Sequence, residues 1–490
     1  MAPDDLSTFT AIVGGMVIDG NDRKPIKNAT ILIQGARIVA VGPRRQIKVP
    51  QDSRIIDAAG KYIIPGFVDT NVHLTLIAGK LLAKYSEAGQ LEEGVTKVVI
   101  QSTQELLKRG VTTVRDTAGA LQPLVSARDA INRGEVPGAR LFVSGNIVGW
   151  GRGASEGGQR KPEGSASQLE QRINRVYTLG VGPEIRSMGE EGFRAAIYTY
   201  LDFGPDFIKY GADMHAEPRL TFAPWQHRAL IEEVHKRGKL VEAHATTEEG
   251  LRTAIAAGVD SIQHTNLFFY SSPWFQGRDL AQRERTLPSG IVKEIVRKKI
   301  LCQLTVTNPK GSAGASELVR RFLAVYGEID EANRNGDFVR AARLERDLDR
   351  NKSFGGSLRA LDLGNAALLL RAGCVSSIAS DFIDSGSLSQ AAGKPIPTIT
   401  NIETLVAIGL TPQQAITVAT KNGAIICRAL RDFGTLENGK YADLLILDGD
   451  PLSDISNIRK INTVMKEGVV IDLDKLPLNP VATKDELAGR

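Results

Sequence analysis

Hydrophobic positions along this chain fall into two textures. Residues 10–64 read as short strands: TAIVGGMVIDG, ATILIQGARIVAVG and SRIIDAAGKYIIPG mix β-branched residues with glycine and asparagine punctuation. Ile31–Ile33 and Ile38–Val41 flank Gln34-Gly35-Ala36-Arg37, which predicts a hairpin. The same texture returns near the other end, where Asp443–Asp448, Ile461–Val464 and Val469–Ile471 predict strands separated by turns. Residues 1–64 and 426–490 are therefore expected to form one small β-sandwich domain from both chain ends.

Between them, short apolar strands alternate with helical stretches such as Trp225–Arg237 and Glu248–Ala257, the pattern of a parallel α/β sheet or barrel. The strands placed are Ile63–Asp69, Val111–Asp116, Arg140–Ser144, Asp206–Lys209, Leu240–His244, Ser261–His264, Leu301–Val306 and Ser376–Asp381. Eight strands with crossover helices is the TIM-barrel count, so the expected class is α/β, a (β/α)8 barrel over residues 65–425. Residues 265–372 hold one of these strands among helical stretches. The highly charged Arg320–Arg350 reads there as a solvated helical insertion, or as a lid over the barrel mouth.

Composition narrows the picture modestly. The formal net charge is +5, from 61 basic against 56 acidic residues, and no basic run is interleaved with aromatics, so a nucleic-acid partner is not expected. No apolar stretch reaches membrane-spanning length, and MAPDDLSTFTAIVGG lacks a basic segment before its apolar run, so the cytosol is the expected compartment. Cys302, Cys374 and Cys427 are far apart and form no CxxC pair, which predicts free thiols. The glycine-rich stretch 149–158, GWGRGASEGG, has no phosphate-loop lysine and reads as a rim loop.

The chemistry gathers at the C-terminal ends of the predicted strands, which in a barrel converge on one face. Strand one ends in Thr70-Asn71-Val72-His73, strand four in Lys209, strand five in His244, strand six in His264 and strand eight in Asp381. Three of the chain's six histidines fall at these ends. Imidazole and carboxylate suit Zn²⁺ and, in mixed sites, Co²⁺, Mn²⁺ or Fe²⁺. His73, Lys209, His244, His264 and Asp381 are the candidate metal ligands, and Asp381 is also a candidate proton shuttle. An ammonium repels a metal, but a deprotonated lysine can add CO₂ to give an anionic carbamate, so a carboxylated Lys209 is expected. Tyr210, next to it, can donate to a substrate carbonyl or simply pack. Asn71 can bond water or substrate, ligate weakly, or serve structure. His215 and His227 follow strand four and either line the loop face or pack, while His235, in a helix, is expected to pack.

This ordering resembles the amidohydrolase superfamily. IIPGFVDTNVH resembles its strand-one motif, PG-φ-φ-D-x-H-x-H, and Val111–Asp116 with Thr117-Ala118-Gly119 resembles its second strand. GLTPQQAITVATKNGA (409–424) and GTLENGKYADLLILDGDPLSDI (434–455) resemble the family's closing helix and terminal β domain. Within the superfamily the chain is similar to the imidazolonepropionase-like and prolidase-like branch, and its Asn-x-His start to the phenylurea and molinate hydrolases. The resemblance implies a metal-dependent hydrolase of a C–N bond acting on a small molecule. It departs at Asn71, where the family has histidine. In a two-metal member the strand-one pair and the aspartate hold one ion, so this departure implies one divalent ion per chain, with Lys209, His244 and His264 as core ligands and His73 and Asp381 either completing its shell or holding water. A homo-oligomer is expected.

Aromatics follow several strand ends: Trp150, Phe222, Trp225, Phe268, Phe269, Tyr270, Trp274 and Phe275. They either pack within the loops or form an apolar wall, which would suit a neutral urea, carbamate, thiocarbamate or anilide. Against them stands a carboxylate-bearing dipeptide or N-acyl amino acid, which needs a cationic clamp such as Arg152, Arg160 or Arg219. A silent scaffold of the same fold is the alternative from another class. Retention of Lys209, His244, His264 and Asp381 argues against it.

Overall fold

The computed structural model describes residues 9–75, 90–151, 168–214, 220–264, 267–269, 283–306, 315–350, 360–381 and 396–480. The N-terminal strands are β1 (Phe9–Val13), β2 (Met16–Val17), β3 (Ala29–Gln34), β4 (Arg37–Pro43), β5 (Arg54–Asp57) and β6 (Tyr62–Pro65). The expected hairpin is β3–β4, paired antiparallel with Gln34 opposite Arg37. One sheet runs in the order β4-β3-β1-β5.

The predicted strand Ile63–Asp69 is two strands. β6 belongs to the flanking domain, and β7 (Phe67–Val72) to the barrel. Gly66 lies between them, and a Cβ there would stand 2.2 Å from Thr112 Oγ1, so only glycine lets the chain cross from one layer to the next. β7, β8 (Val111–Asp116) and β9 (Arg140–Val143) form one parallel run. A second parallel run contains β10 (Ile208–Gly211), β11 (Val241–His244), β12 (Ser261–Gln263), β15 (Leu301–Leu304) and β16 (Ser376–Ile378). The small antiparallel pair β13 (Leu267–Phe269) and β14 (Arg283–Arg285) falls between β12 and β15.

Two seams join the runs into an eight-stranded barrel. Val148 bridges Tyr210 in parallel on one side. On the other, Asp381 N donates to Asn71 O (3.0 Å) and Thr70 Oγ1 to Ile378 O (2.8 Å). Helices α1 (Leu91–Lys108), α2 (Leu121–Asn132), α3 (Gln168–Thr178), α4 (Glu190–Asp202), α5 (Pro224–Lys236), α6 (Glu248–Ala257) and α7 (Ser289–Lys298) fall between successive strands. They bury Val95, Leu124, Ile197, Leu230, Ile255 and Ile295 in the main core.

Four more helices flank β16: α8 (Ala315–Arg334), α9 (Phe338–Arg350) and α10 (Ala360–Arg371) before it, and α11 (Pro397–Ala407) after it. α8 and α9 have a small core of their own, Phe322, Ile329, Ala341 and Leu348, closed by Leu361 and Leu368 of α10. Their charges lie on the water side, as in the exposed Arg320–Glu317 pair.

The C-terminal strands β17 (Leu444–Leu447), β18 (Ile461–Lys466) and β19 (Val469–Val470) complete a sheet β19-β18-β17-β6-β2. Both chain ends thus meet in one sheet. Ile12, Ile31, Ile63, Leu444 and Ile446 fill the core it shares with β4-β3-β1-β5. Arg140, at the start of β9, reaches Asp443 (2.6 Å) and ties this domain to the end of the barrel away from the mouth. Among the described residues no helix is long and apolar enough to cross a membrane.

The cysteines need a correction. Cys302 on β15 and Cys374, just before β16, are joined in a disulfide, and Cys427 alone is a free thiol. Their separation of 72 residues in sequence hid a neighbouring-strand relation, since Cys302 stands in register with Ser376.

Candidate metal centre

β7 carries the first half of the site. Asp69, Asn71 and His73 are each two residues apart and buried. Asp69 works as a clamp for the closing seam. Its carboxylate accepts from Ser380 N (3.0 Å), Asn71 N (3.3 Å) and Thr398 Oγ1 (2.6 Å). The residue next to Ser380 is Asp381, so the clamp delivers Asp381 to the barrel mouth. Asp381 Oδ1 then lies 3.1 Å from His73 Nε2 and accepts from Asn71 Nδ2 at 3.1 Å. Burial by itself raises this carboxyl. The His73 hydrogen bond and the charges of His264, His73 and Lys209 outweigh it and hold Asp381 well below the usual carboxylate range.

β11 and β12 carry the second half. His244 Nδ1 and His264 Nε2 face each other at 3.0 Å, with the rings edge-on. Thr305 Oγ1 lies 3.4 Å from His264 Nδ1. The predicted strands overran here: β12 ends at Gln263 and β16 at Ile378. His264 and Asp381 both leave the sheet with left-handed backbones, φ 70° and 52°. Such conformations are uncommon in residues with side chains and gather at functional sites, where the surroundings enforce them.

Lys209, on β10, connects the halves. It is 1% exposed, and its Nζ donates to Thr117 Oγ1 at 3.2 Å. Burial lowers its pKa, against the opposing pull of Glu242, Asp381 and Asp116. Beneath it Arg115 on β8 pairs with Glu242 on β11 at 2.7 Å, both fully enclosed, and Gln303 also donates to Glu242. Asp116 accepts from Leu74 N (2.6 Å) and holds the turn after β7; burial pushes its pKa up to about 8.

Other predicted residues go elsewhere. Tyr210 is not at the mouth. Being next to Lys209 on a strand it faces the opposite side, where its hydroxyl lies 3.1 Å from His227 Nδ1 on α5. Phe222 packs with it and with Phe193, and Phe193 in turn with Trp225, behind the barrel wall. His235 Nε2 lies 2.7 Å from Asp260 Oδ2, far along α5 from the site. Trp150 does reach the mouth: its ring meets His244 edge-on at 4.6 Å between centroids. It forms an apolar cluster with Ala118, Ile147 and Met214. Gly211 makes room for it, since a Cβ there would stand 2.2 Å from Trp150 Nε1. His215, Arg219, Arg152, Arg160, Tyr270, Trp274 and Phe275 lie outside the described residues. Thr117, Asp69, Glu242 and Arg115 were not singled out as site residues from sequence. Position just after a strand's C-terminal end is the signal that points to Thr117.

The donor set can be tested against a metal. Among the described residues no three His, Cys, Asp or Glu side chains converge as an ion shell by themselves. Two nitrogens bound tetrahedrally at 2.0–2.1 Å stand roughly 3.3 Å apart, close to the His244–His264 separation. The buried His73 Nδ1 has no hydrogen-bond partner. Lys209, whose pKa burial lowers, would supply a third donor if carboxylated, and with it the residues would fit a divalent ion.

Comparisons with known proteins bear on the family. The amidohydrolase family profile matches residues 62–471, and the chain belongs to that family. It is a hydrolase of that class, whose members generally use a divalent metal. The structure of molinate hydrolase superposes with a TM-score of 0.76 at 28% identity, covering 97% of each chain. Phenylurea hydrolase B gives 0.76 at 24% identity, over 98% of this chain and 100% of that one. Ochratoxinase from Aspergillus niger is 24% identical over 480 residues, 93% of this chain and 84% of the relative.

Proposed function

We propose that this protein hydrolyses the C–N bond of a neutral urea, carbamate, thiocarbamate or anilide with one divalent ion, Zn²⁺ first among the candidates. His244, His264 and a carboxylated Lys209 would hold the ion. When bound, it supplies Lewis acidity toward the scissile carbonyl and lowers the pKa of water. Asp381, ionised and held by His73 and Asn71, orients the attacking water, accepts its proton and passes it to the departing nitrogen. His73 keeps that carboxylate in place and takes no proton itself. Trp150, with Ala118, Ile147 and Met214, offers an apolar wall beside His244 for the alkyl or aryl group.

The observation that carries the reading is the pairing of a facing His244–His264 couple with an Asp381 carboxylate at one barrel mouth. The likeness to molinate hydrolase supports the substrate class. A paired screen tests it: neutral N-aryl and N-alkyl ureas and carbamates against N-acyl amino acids and dipeptides of similar size, with metal content measured on the same preparation. Higher kcat/KM for the neutral set is expected. A clear preference for the carboxylate-bearing set, abolished by mutation of Arg152, Arg160 or Arg219, replaces this reading with a dipeptidase-like one.

A further inference from the structure

A hydroxyl the catalytic account does not use, that of Thr117, sits between the two halves of the site. Thr117 and Asn71 are completely buried and Lys209 nearly so. Lys209 Nζ donates to Thr117 Oγ1 (3.2 Å), Thr117 Oγ1 donates to Asn71 Oδ1, and Asn71 Nδ2 donates to Asp381 Oδ1 (3.1 Å).

Each direction in this chain is forced by the next. An ionised carboxylate only accepts, so the Asn71 atom facing Asp381 must be the NH₂. The amide oxygen then points at Thr117, whose single proton must go to it. That leaves the Thr117 oxygen to receive from Lys209. The chain survives carboxylation of the lysine, because a carbamate nitrogen keeps one N–H. The reverse amide orientation would set an oxygen against the Asp381 carboxylate and NH₂ against the hydroxyl.

We propose that Thr117 is a positioning residue that locks the Asn71 amide, with its oxygen turned away and its NH₂ fixed on Asp381. Asn71 thereby serves as a dedicated donor to the carboxylate and not as an ion ligand, and Thr117 acts on the reaction only through it. This rests on the catalytic role given to Asp381, so the test has one arm that needs no substrate.

The experiment is a double-mutant cycle of Thr117→Val and Asn71→Ala, with Thr117→Ser as the conservative variant. In metal-loaded protein, Thr117→Val is expected to lower kcat about 10-fold with little change in KM and unchanged metal content. Thr117→Ser should recover most of the loss, and the double mutant should be no slower than Asn71→Ala. In metal-stripped protein, Thr117→Val should lower the thermal midpoint by a few degrees in the parent, by stranding the Asn71 oxygen, and not in Asn71→Ala. Multiplying effects in the double mutant, loss of metal in Thr117→Val, or wild-type kcat in that variant each overturns the proposal. Uncoupled midpoints in the metal-stripped protein overturn the hydrogen-bond chain even if no substrate is found. Coupled midpoints alongside failure of every urea and carbamate leave the chain standing and remove the substrate reading.

Discussion

The two flanks of the barrel mouth are built on different principles. On the β11–β12 side, His244 and His264 present nitrogens to each other at 3.0 Å, as two ligands to one ion would. On the β7–β16 seam, His73 and Asn71 both turn to the same oxygen of Asp381. The first flank is organised around a point between two rings, the second around a carboxylate. An asparagine in place of histidine accounts for the difference. Its amide has an NH₂ to give, and the structure spends that donor on Asp381 and its oxygen on Thr117. On the proposed reading the first flank would hold the ion and the second would handle the proton.

The sharpest way to break this division is to remove a ring from the first flank. His244→Ala or His264→Ala should strip the metal and lower kcat/KM by about 10³-fold or more, the scale of a lost metal ion. Retention of a full ion in either variant, by elemental analysis, would erase the distinction between the flanks. Asp381→Asn should lose about 10²-fold in turnover while keeping its ion, since the amide preserves shape but cannot accept the proton. Near-normal turnover in that metal-replete variant would remove Asp381 from the chemistry.

A smaller effect concerns the far side of the wall. His227 is fully buried against Tyr210, and burial lowers its pKa to about 4. Between pH 6.5 and 4 the unfolded chain takes up a proton that the folded chain refuses. The stabilisation is therefore fully present above pH 6.5 and is lost as the pH falls toward 4, to the extent of roughly 3 kcal/mol. Urea midpoints at pH 7 and 4.5 should show this slope flattened in His227→Gln; an equal slope in both proteins would contradict it. Smallest of all, Tyr210→Phe should leave kcat/KM within about 2-fold and cost about 1 kcal/mol of stability. A large fall in kcat at unchanged stability would restore Tyr210 to the active site.

The Lys209–Tyr210 pair also shows what the sequence could convey. Strand ends and residue types were enough to gather His73, Lys209, His244, His264 and Asp381, because a parallel barrel sends all its strand ends to one face. What faces inward was less legible. Tyr210 sits beside a site residue and therefore points away from it, toward Phe222 and His227 on the helix side. Trp150 was legible as a rim aromatic, but its approach to His244 depends on Gly211, a contact between the loop after β9 and the end of β10. Asp69 belongs to the quoted motif, yet its clamp on Ser380 and Thr398 joins residues over 300 positions apart. The Cys302–Cys374 bridge and the break at Gly66 were missed for a related reason. Both depend on which strands become neighbours, which local pattern does not record.

Metal stoichiometry tests the central claim most directly. The protein is saturated with Zn²⁺ or Co²⁺ in the presence of bicarbonate, freed of loose ions and analysed for metal per chain. The account predicts one ion per chain, lost in His244→Ala and Lys209→Ala and kept in Asn71→Ala. Two stoichiometric ions, or one ion that departs with Asn71 and stays without His244, would contradict it.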